Sequence, residues 1–229
     1  LIIWVGCTKS YNASVPVTLG LDSLGASGRL SNQRVGLVSN PASLDRHFQH
    51  AAKVVVNSGA RLTALFGPQH GFTSDRQDNM VETPHEHDEH HLVPVYSLYS
   101  ETRTPTTEML NGIDLMVIDL PDIGTRVYTY ASTMANCLRA CREHGIPAIV
   151  TDRPNPIDGV TVEGPMLESG WTSFVGQFPI PLRHGLTMGE LAELFNSEFG
   201  VGAELEIVPM TDWNRAMYFD DTGLPWVMP

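Results

Sequence analysis

Side chains able to do chemistry recur in one kind of place along this sequence: just beyond an apolar run that stops at Pro, Gly or Asp. Asn40 follows the run from Arg34 to Ser39, and Gln69 and His70 follow the run from Arg61 to Phe66. Asp119 and Asp122 close the run that begins at Asp114, with Arg126 shortly after, and Asp152, Arg153 and Asn155 follow the run from Pro147 to Thr151. In open α/β sheets ligands bind outside the carboxyl ends of the strands, where strand order reverses. The bias therefore gathers these groups on one rim. Carboxylates, amides, guanidinium and imidazole around a cleft suit a polar, uncharged ligand such as a sugar.

Other chemistries lack their signatures. The first strand is followed by no G-x-G-x-x-G, and G-x-x-x-x-G-K-[ST] occurs nowhere, so no nucleotide cofactor is expected. A serine nucleophile would need a G-x-S-x-G elbow, which is missing. The run His85-Glu86-His87-Asp88-Glu89-His90-His91 holds enough ligand types for a metal. Zinc sites, however, need ligands on a rigid scaffold with oriented partners behind them. This run reads as a solvated loop, and no metal is expected. Asn12-Ala13-Ser14 is a glycosylation sequon, of consequence only on a eukaryotic secretory route.

The elements that must carry the rim alternate in type. Strands are expected at Arg34–Ser39, Arg61–Phe66, Pro94–Tyr99, Asp114–Leu120 and Pro147–Thr151, with a last one at Glu204–Pro209. The second is a near-continuous apolar run of the kind buried on both faces of a parallel sheet. A helix is expected from Leu44 to Ser58, and a short one after the cap Thr104-Pro105 with its stop at Asn111-Gly112. Val127, Ala131, Met134, Leu138 and Cys141 then fall at helical spacing before Gly145. A further helix opens at Thr187, where Glu190 completes a capping box, and its core face is Met188, Leu191, Leu194 and Phe195. Residues 73–91 read as a surface excursion and the stretch from Asp152 to Pro181 as Pro- and Gly-rich loops. Together these predict an α/β domain: a Rossmann-like, doubly wound, mostly parallel sheet with helices on both faces.

Composition bounds the partners. The 229 residues are 42% hydrophobic and 17% charged, an ordinary globular balance. A formal charge of −12 offers no basic surface to displace counterions from phosphates, so nucleic acid is not a partner. No run reaches the roughly 18 apolar residues of a membrane span. Cys7, Cys137 and Cys141 lack the spacing of a zinc site or redox pair, and the last two read as buried thiols one helical turn apart. Leu1-Ile-Ile-Trp-Val-Gly-Cys7 suits either the tail of a secretory or lipoprotein signal or a simple apolar strand. Residues 1–30 are accordingly read as a leader or extension, and 31–229 as the Rossmann-like domain.

Four motifs taken together resemble one family. Phe66-Gly-Pro-Gln-His-Gly-Phe72, Asp119-Leu-Pro-Asp-Ile-Gly-Thr-Arg-Val-Tyr-Thr-Tyr130, Asp152-Arg-Pro-Asn-Pro156 and Arg183-His-Gly185 are similar to the exo-β-N-acetylmuramidases of the NamZ type, from about Gly36 to Trp226. The resemblance implies a Rossmann-like catalytic domain that releases N-acetylmuramic acid from the non-reducing end of peptidoglycan fragments, without a cofactor. It also implies a smaller C-terminal domain beyond Trp226, expected to be absent here, and a secreted, periplasmic or lipoprotein-anchored location.

Where the family carries Glu, this chain has Gln69. Glycoside cleavage ordinarily uses two carboxyl groups, and substrate-assisted cases replace one with the sugar's acetamido oxygen. By the resemblance Glu163 is the remaining general acid or base, with Asp122 and Asp152 in reserve, Gln69 holding water or the acetamido group, and His70 positioning substrate or sharing a proton. Arg126, Arg153 and Arg183 are expected to meet the lactyl carboxylate, with Asn40, Tyr128, Asp152, Asn155 and His184 completing the sugar site. The alternative is a non-catalytic binder of muramyl sugars, disabled at Gln69.

Overall fold

A computed structural model of the chain describes residues 16–73, 82 and 84–229. In chain order it comprises α1 (Gly20–Ala26), β1 (Arg34–Ser39), α2 (Ala51–Asn57), β2 (Arg61–Gly67), β3 (Glu86–Asp88), β4 (Val93–Ser97), α3 (Thr107–Leu110) and β5 (Leu115–Asp119). There follow α4 (Thr129–His144), β6 (Ala148–Thr151), β7 (Glu163–Met166), β8 (Pro181–Arg183), α5 (Met188–Ser197), β9 (Leu205–Val208) and a 3₁₀ turn at Phe219–Asp221. Seven strands form one sheet in the order β3-β4-β2-β1-β5-β6-β9, every pair parallel except β3 with β4. Leaving out the antiparallel edge β3, the order is that of a doubly wound Rossmann-like sheet, reversing between β1 and β5.

Burial explains why these runs became central strands. All of β5 and all of β1 after Arg34 are buried, as strands covered on both faces must be. Successive side chains of β1 feed different cores. Leu37 joins Leu21 and Leu24 of α1 and Val55 of α2, whereas Val38 joins Met134 and Leu138 of α4 and Leu191 of α5. Residues 16–30, read from sequence as leader or extension, share the first of these cores through Leu19, Leu21, Leu24 and Leu30. The apolar start through Cys7 and the sequon lie outside the described residues. Among the described residues no helix is long and apolar enough to cross a membrane.

The ends of α4 and α5 follow local rules. Gly145 takes a left-handed φ of 63° that closes α4, with the Ile146 N–H donating to the Cys141 carbonyl at 2.9 Å. Cys137 and Cys141 are buried as expected, and burial pushes the Cys141 thiol up to about 12. The capping box at α5 is present: Glu190 N–H donates to Thr187 Oγ1 at 3.2 Å, and Thr187 N–H to Glu190 Oε2 at 3.0 Å.

Elsewhere the fold departs from the pattern. The helix expected from Leu44 starts only at Ala51, because Asp45 Oδ1 accepts the N–H groups of His47 (2.8 Å) and Gln49 (2.7 Å) and holds a turn instead. His50 then caps the helix, its Nδ1 accepting from Ala52 N–H at 3.2 Å. The cap of α3 is Thr106 rather than Thr104, and Val127 precedes α4 as an exposed side chain. The His-rich run supplies the edge strand β3, with His85 Nδ1 accepting from Ser97 N–H. Within the expected loops, β7 and β8 form a two-stranded hairpin.

Candidate functional site

The loops leaving β1 and β5 diverge at the reversal point of the sheet, and a narrow cleft with a cavity volume of about 30 Å³ lies between them. Ala42, Leu44 and Asp45 come from the first loop, Pro121 and Asp122 from the second, and Arg153 and Pro154 from the loop after β6. Phe219 and residues 224–227, including Trp226, complete the wall. The lining is apolar except for Asp45, Asp122 and Arg153, the usual composition of a small-molecule site.

Asp122 is the least satisfied of these groups. Its Oδ2 accepts from Gly124 N–H at 2.9 Å and faces His184 Nε2 at 3.2 Å. Because His184 Nδ1 accepts from Leu186 N–H at 3.1 Å, the ring proton sits on Nε2 and is donated to Asp122. Oδ1 is buried and has no partner. Gly124 makes this possible through its φ of +85°, and a Cβ there would stand 2.5 Å from Asn155 Oδ1.

Arg153 is locked in place. It donates Nε to Asp119 Oδ1 (2.9 Å) and Nη2 to Asp119 Oδ2 (2.7 Å), a fork on a wholly buried carboxylate, and Nη2 also reaches the Leu44 carbonyl. Nη1 stays outside this network. Asp152 serves α5: its Oδ1 accepts from Gly189 N–H at 2.7 Å and Arg153 N–H at 2.9 Å, and burial raises its carboxyl to about 6. Asn155 ties two loops, donating to the Leu186 carbonyl and accepting from Ile157 N–H. Asn40 shapes the β1 turn, with Oδ1 accepting from Ala42 N–H at 3.1 Å while its buried Nδ2 has no partner.

A second group gathers on the β7–β8 hairpin. Glu163, its side chain 64% exposed, pairs with Arg183 Nη1 at 2.9 Å, and Arg183 Nη2 pairs with Asp158 at 2.9 Å. Arg126 donates to the Pro165 and Ile180 carbonyls, and its N–H joins Leu182 O at 2.8 Å, fastening the hairpin to the β5 loop. Tyr128 donates to the Pro229 carbonyl at 2.7 Å. None of these four residues lines the cleft, although Arg183 and His184 are consecutive, so the hairpin leads directly to Asp122.

Gln69 and His70 occupy the turn after β2, both half-buried, with His70 at a φ of 72°. They share the carboxyl rim with the cleft but not its wall. Beside them, Gly67, Phe72 and Ser97 help line a small pocket of about 10 Å³. The turn touches the β1 loop through Phe72, whose ring meets His50 edge-on at 5.2 Å.

Asp122 and Arg153 thus reach the cleft with His184 behind them, while Asp152 and Asn155 are spent on backbone groups and Asn40 Oδ1 on the β1 turn. Sequence reading missed Asp45, hidden inside an expected helix, and the aromatic wall of Phe219 and Trp226. The Gly-Pro-Trp context of that segment offers no periodicity to read.

The sequence profile described as exo-beta-N-acetylmuramidase NamZ, N-terminal, matches residues 35–229. The chain belongs to the NamZ family. A NamZ relative from Bacillus subtilis (strain 168), named peptidoglycan beta-N-acetylmuramidase NamZ, is 47% identical over 226 residues, covering 97% of this chain and 54% of its own length. Two crystal structures of DUF1343 family proteins from Bacteroides fragilis NCTC 9343 share the fold. One is 40% identical with a TM-score of 0.85, over 93% of this chain and 55% of that one. The other is 28% identical with a TM-score of 0.76, over 90% and 55%. The chain spans about half the length of the curated relative it matches.

Proposed function

We propose that this NamZ-family domain is an exo-acting glycoside hydrolase that releases N-acetylmuramic acid from the non-reducing end of peptidoglycan fragments. The observation that carries the reading is the cleft at the β1/β5 reversal, where a buried carboxylate, Asp122, keeps one oxygen without a partner. A buried acceptor left bare costs about 1–3 kcal/mol or more, which a ligand donor would recover. Trp226 and Phe219 offer apolar faces of the kind on which pyranose rings pack, and Arg153 Nη1 has N–H donors not used in the fork on Asp119. The relative's name, a peptidoglycan beta-N-acetylmuramidase, supports the substrate class.

Glu163 is the candidate acid or base, because it is a solvent-facing carboxylate on the hairpin that leads to His184 and Asp122. Gln69 and His70 stand on the same rim as groups to orient water or sugar. The proposed location is secreted, periplasmic or lipoprotein-anchored, supported by peptidoglycan being an extracytoplasmic polymer. The test is incubation of the protein and of Gln69→Glu with a chromogenic N-acetylmuramide. Free N-acetylmuramic acid is expected from both. Release by the variant alone would reduce the natural chain to a binder, and neither cleavage nor binding would overturn the reading.

A further inference from the structure

Resting on that reading, we infer that Asp122 selects the 2-acetamido group of the sugar, accepting its N–H on Oδ1, and that His184 is the positioning residue that keeps Oδ1 free for it. Three carboxylates stand near the reversal point besides Asp122, and each is already engaged. Asp119 carries the Arg153 fork, Asp152 holds the start of α5, and Asp45 accepts two amides of its own turn. Asp45 and Asp122 are both buried and line the cleft, and of the two only Asp122 has an oxygen that is itself shielded from solvent and without a partner.

The tautomer of His184 decides which oxygen that is. With Leu186 N–H on Nδ1, the imidazole can only donate to Asp122, and together with Gly124 N–H it saturates Oδ2. The surroundings then choose among sugar donors. Apart from Asp45 and Arg153 the rest of the lining is apolar, with Ala42, Leu44, Pro121 and Pro154 among it, and suits a methyl group better than a cluster of hydroxyls. An acetamido group is one N–H beside one methyl, the combination this wall matches.

Because Oδ1 is shielded from solvent, binding requires part of the wall to move. Residues 225–228 have no regular structure and make no hydrogen bond to the rest of the described protein; the edge-on contact of Trp226 with Phe219 at 4.7 Å and the Tyr128 hydrogen bond to Pro229 are the contacts such a movement would have to alter.

The experiment compares N-acetylmuramic acid with its analogue bearing a 2-hydroxyl in place of the acetamido group, by calorimetric titration of the protein and of Asp122→Asn. Wild type is expected to prefer the acetamido sugar by about tenfold to a hundredfold, the range for a hydrogen bond to a charged acceptor. In the variant the two donors at the Oδ2 position draw the amide oxygen, so an NH₂ faces the sugar N–H and the preference falls below about threefold. His184→Gln, which can still donate, is expected to retain most of the preference, and His184→Leu to lose it. Equal affinity of wild type for both sugars overturns the inference and leaves the muramyl reading standing. Binding of neither sugar overturns both. Should Asp122→Asn fail to fold, the wild-type preference between the two ligands decides alone.

Discussion

Asp152→Asn should change how stability depends on pH, in a direction fixed by the surroundings of the carboxyl. Asp152 is 9% exposed, and burial raises it from an ordinary 3.8 to about 6, against the pull of Gly189 N–H, the Thr187 hydroxyl and Arg153 N–H. Between those two pH values the folded chain holds a proton that the unfolded chain has released, so stability falls as pH rises. The contribution is complete below about 3.8 and lost above about 6. A separation of about two pH units corresponds to ~3 kcal/mol. Asparagine does not titrate, and its Oδ1 can keep both amides that Asp152 Oδ1 now accepts. Urea unfolding at pH 4 and pH 7.5 should therefore show the variant gaining ~3 kcal/mol on wild type between the two conditions. A difference that is the same at both pH values would refute this account of the α5 cap.

Arg153→Met should cost about 3–5 kcal/mol, because it removes the ion-pair partner of the wholly buried Asp119 and leaves it only the Thr151 hydroxyl; thermal and urea unfolding would show it. Gly124→Ala forces a side chain into a left-handed φ of +85° and against Asn155, so a loss of about 1–3 kcal/mol is expected together with weakened sugar binding, read by unfolding and calorimetry. Glu163→Gln removes only an exposed ion pair and should shift stability by less than about 1 kcal/mol. If Glu163 performs acid or base work, the same change lowers muramide turnover by about 10²–10⁴-fold in a chromogenic assay.

Much of the scaffold was legible because burial on both faces writes itself as continuous apolar runs. β1, β2, β5 and β6 stand within a residue or two of their expected bounds, and the Thr187–Glu190 box marked α5 outright. What failed was decided by single side chains acting locally. Asp45 diverts seven residues, 44–50, from a helix, and Pro- and Gly-rich loops conceal a hairpin in which Arg183 pairs with Glu163 and which Arg126 fastens to the β5 loop.

The rim was legible too, since polar residues following parallel strands must emerge together. Which of them would be free was not. Whether Asp119, Asp122 or Asp152 keeps a bare oxygen depends on partners 34, 62 and 37 residues away in the chain, and no spacing announces them. The aromatic wall was equally silent, because Trp226 enters the cleft from a segment without periodicity.

The most direct measurement is a crystal structure of the protein soaked with N-acetylmuramic acid. The sugar should lie in the cleft at the β1/β5 reversal, its acetamido N–H on Asp122 Oδ1 and its ring against Trp226. Sugar density confined to the Gln69 turn or to the β7–β8 hairpin, with the cleft vacant, would contradict the account.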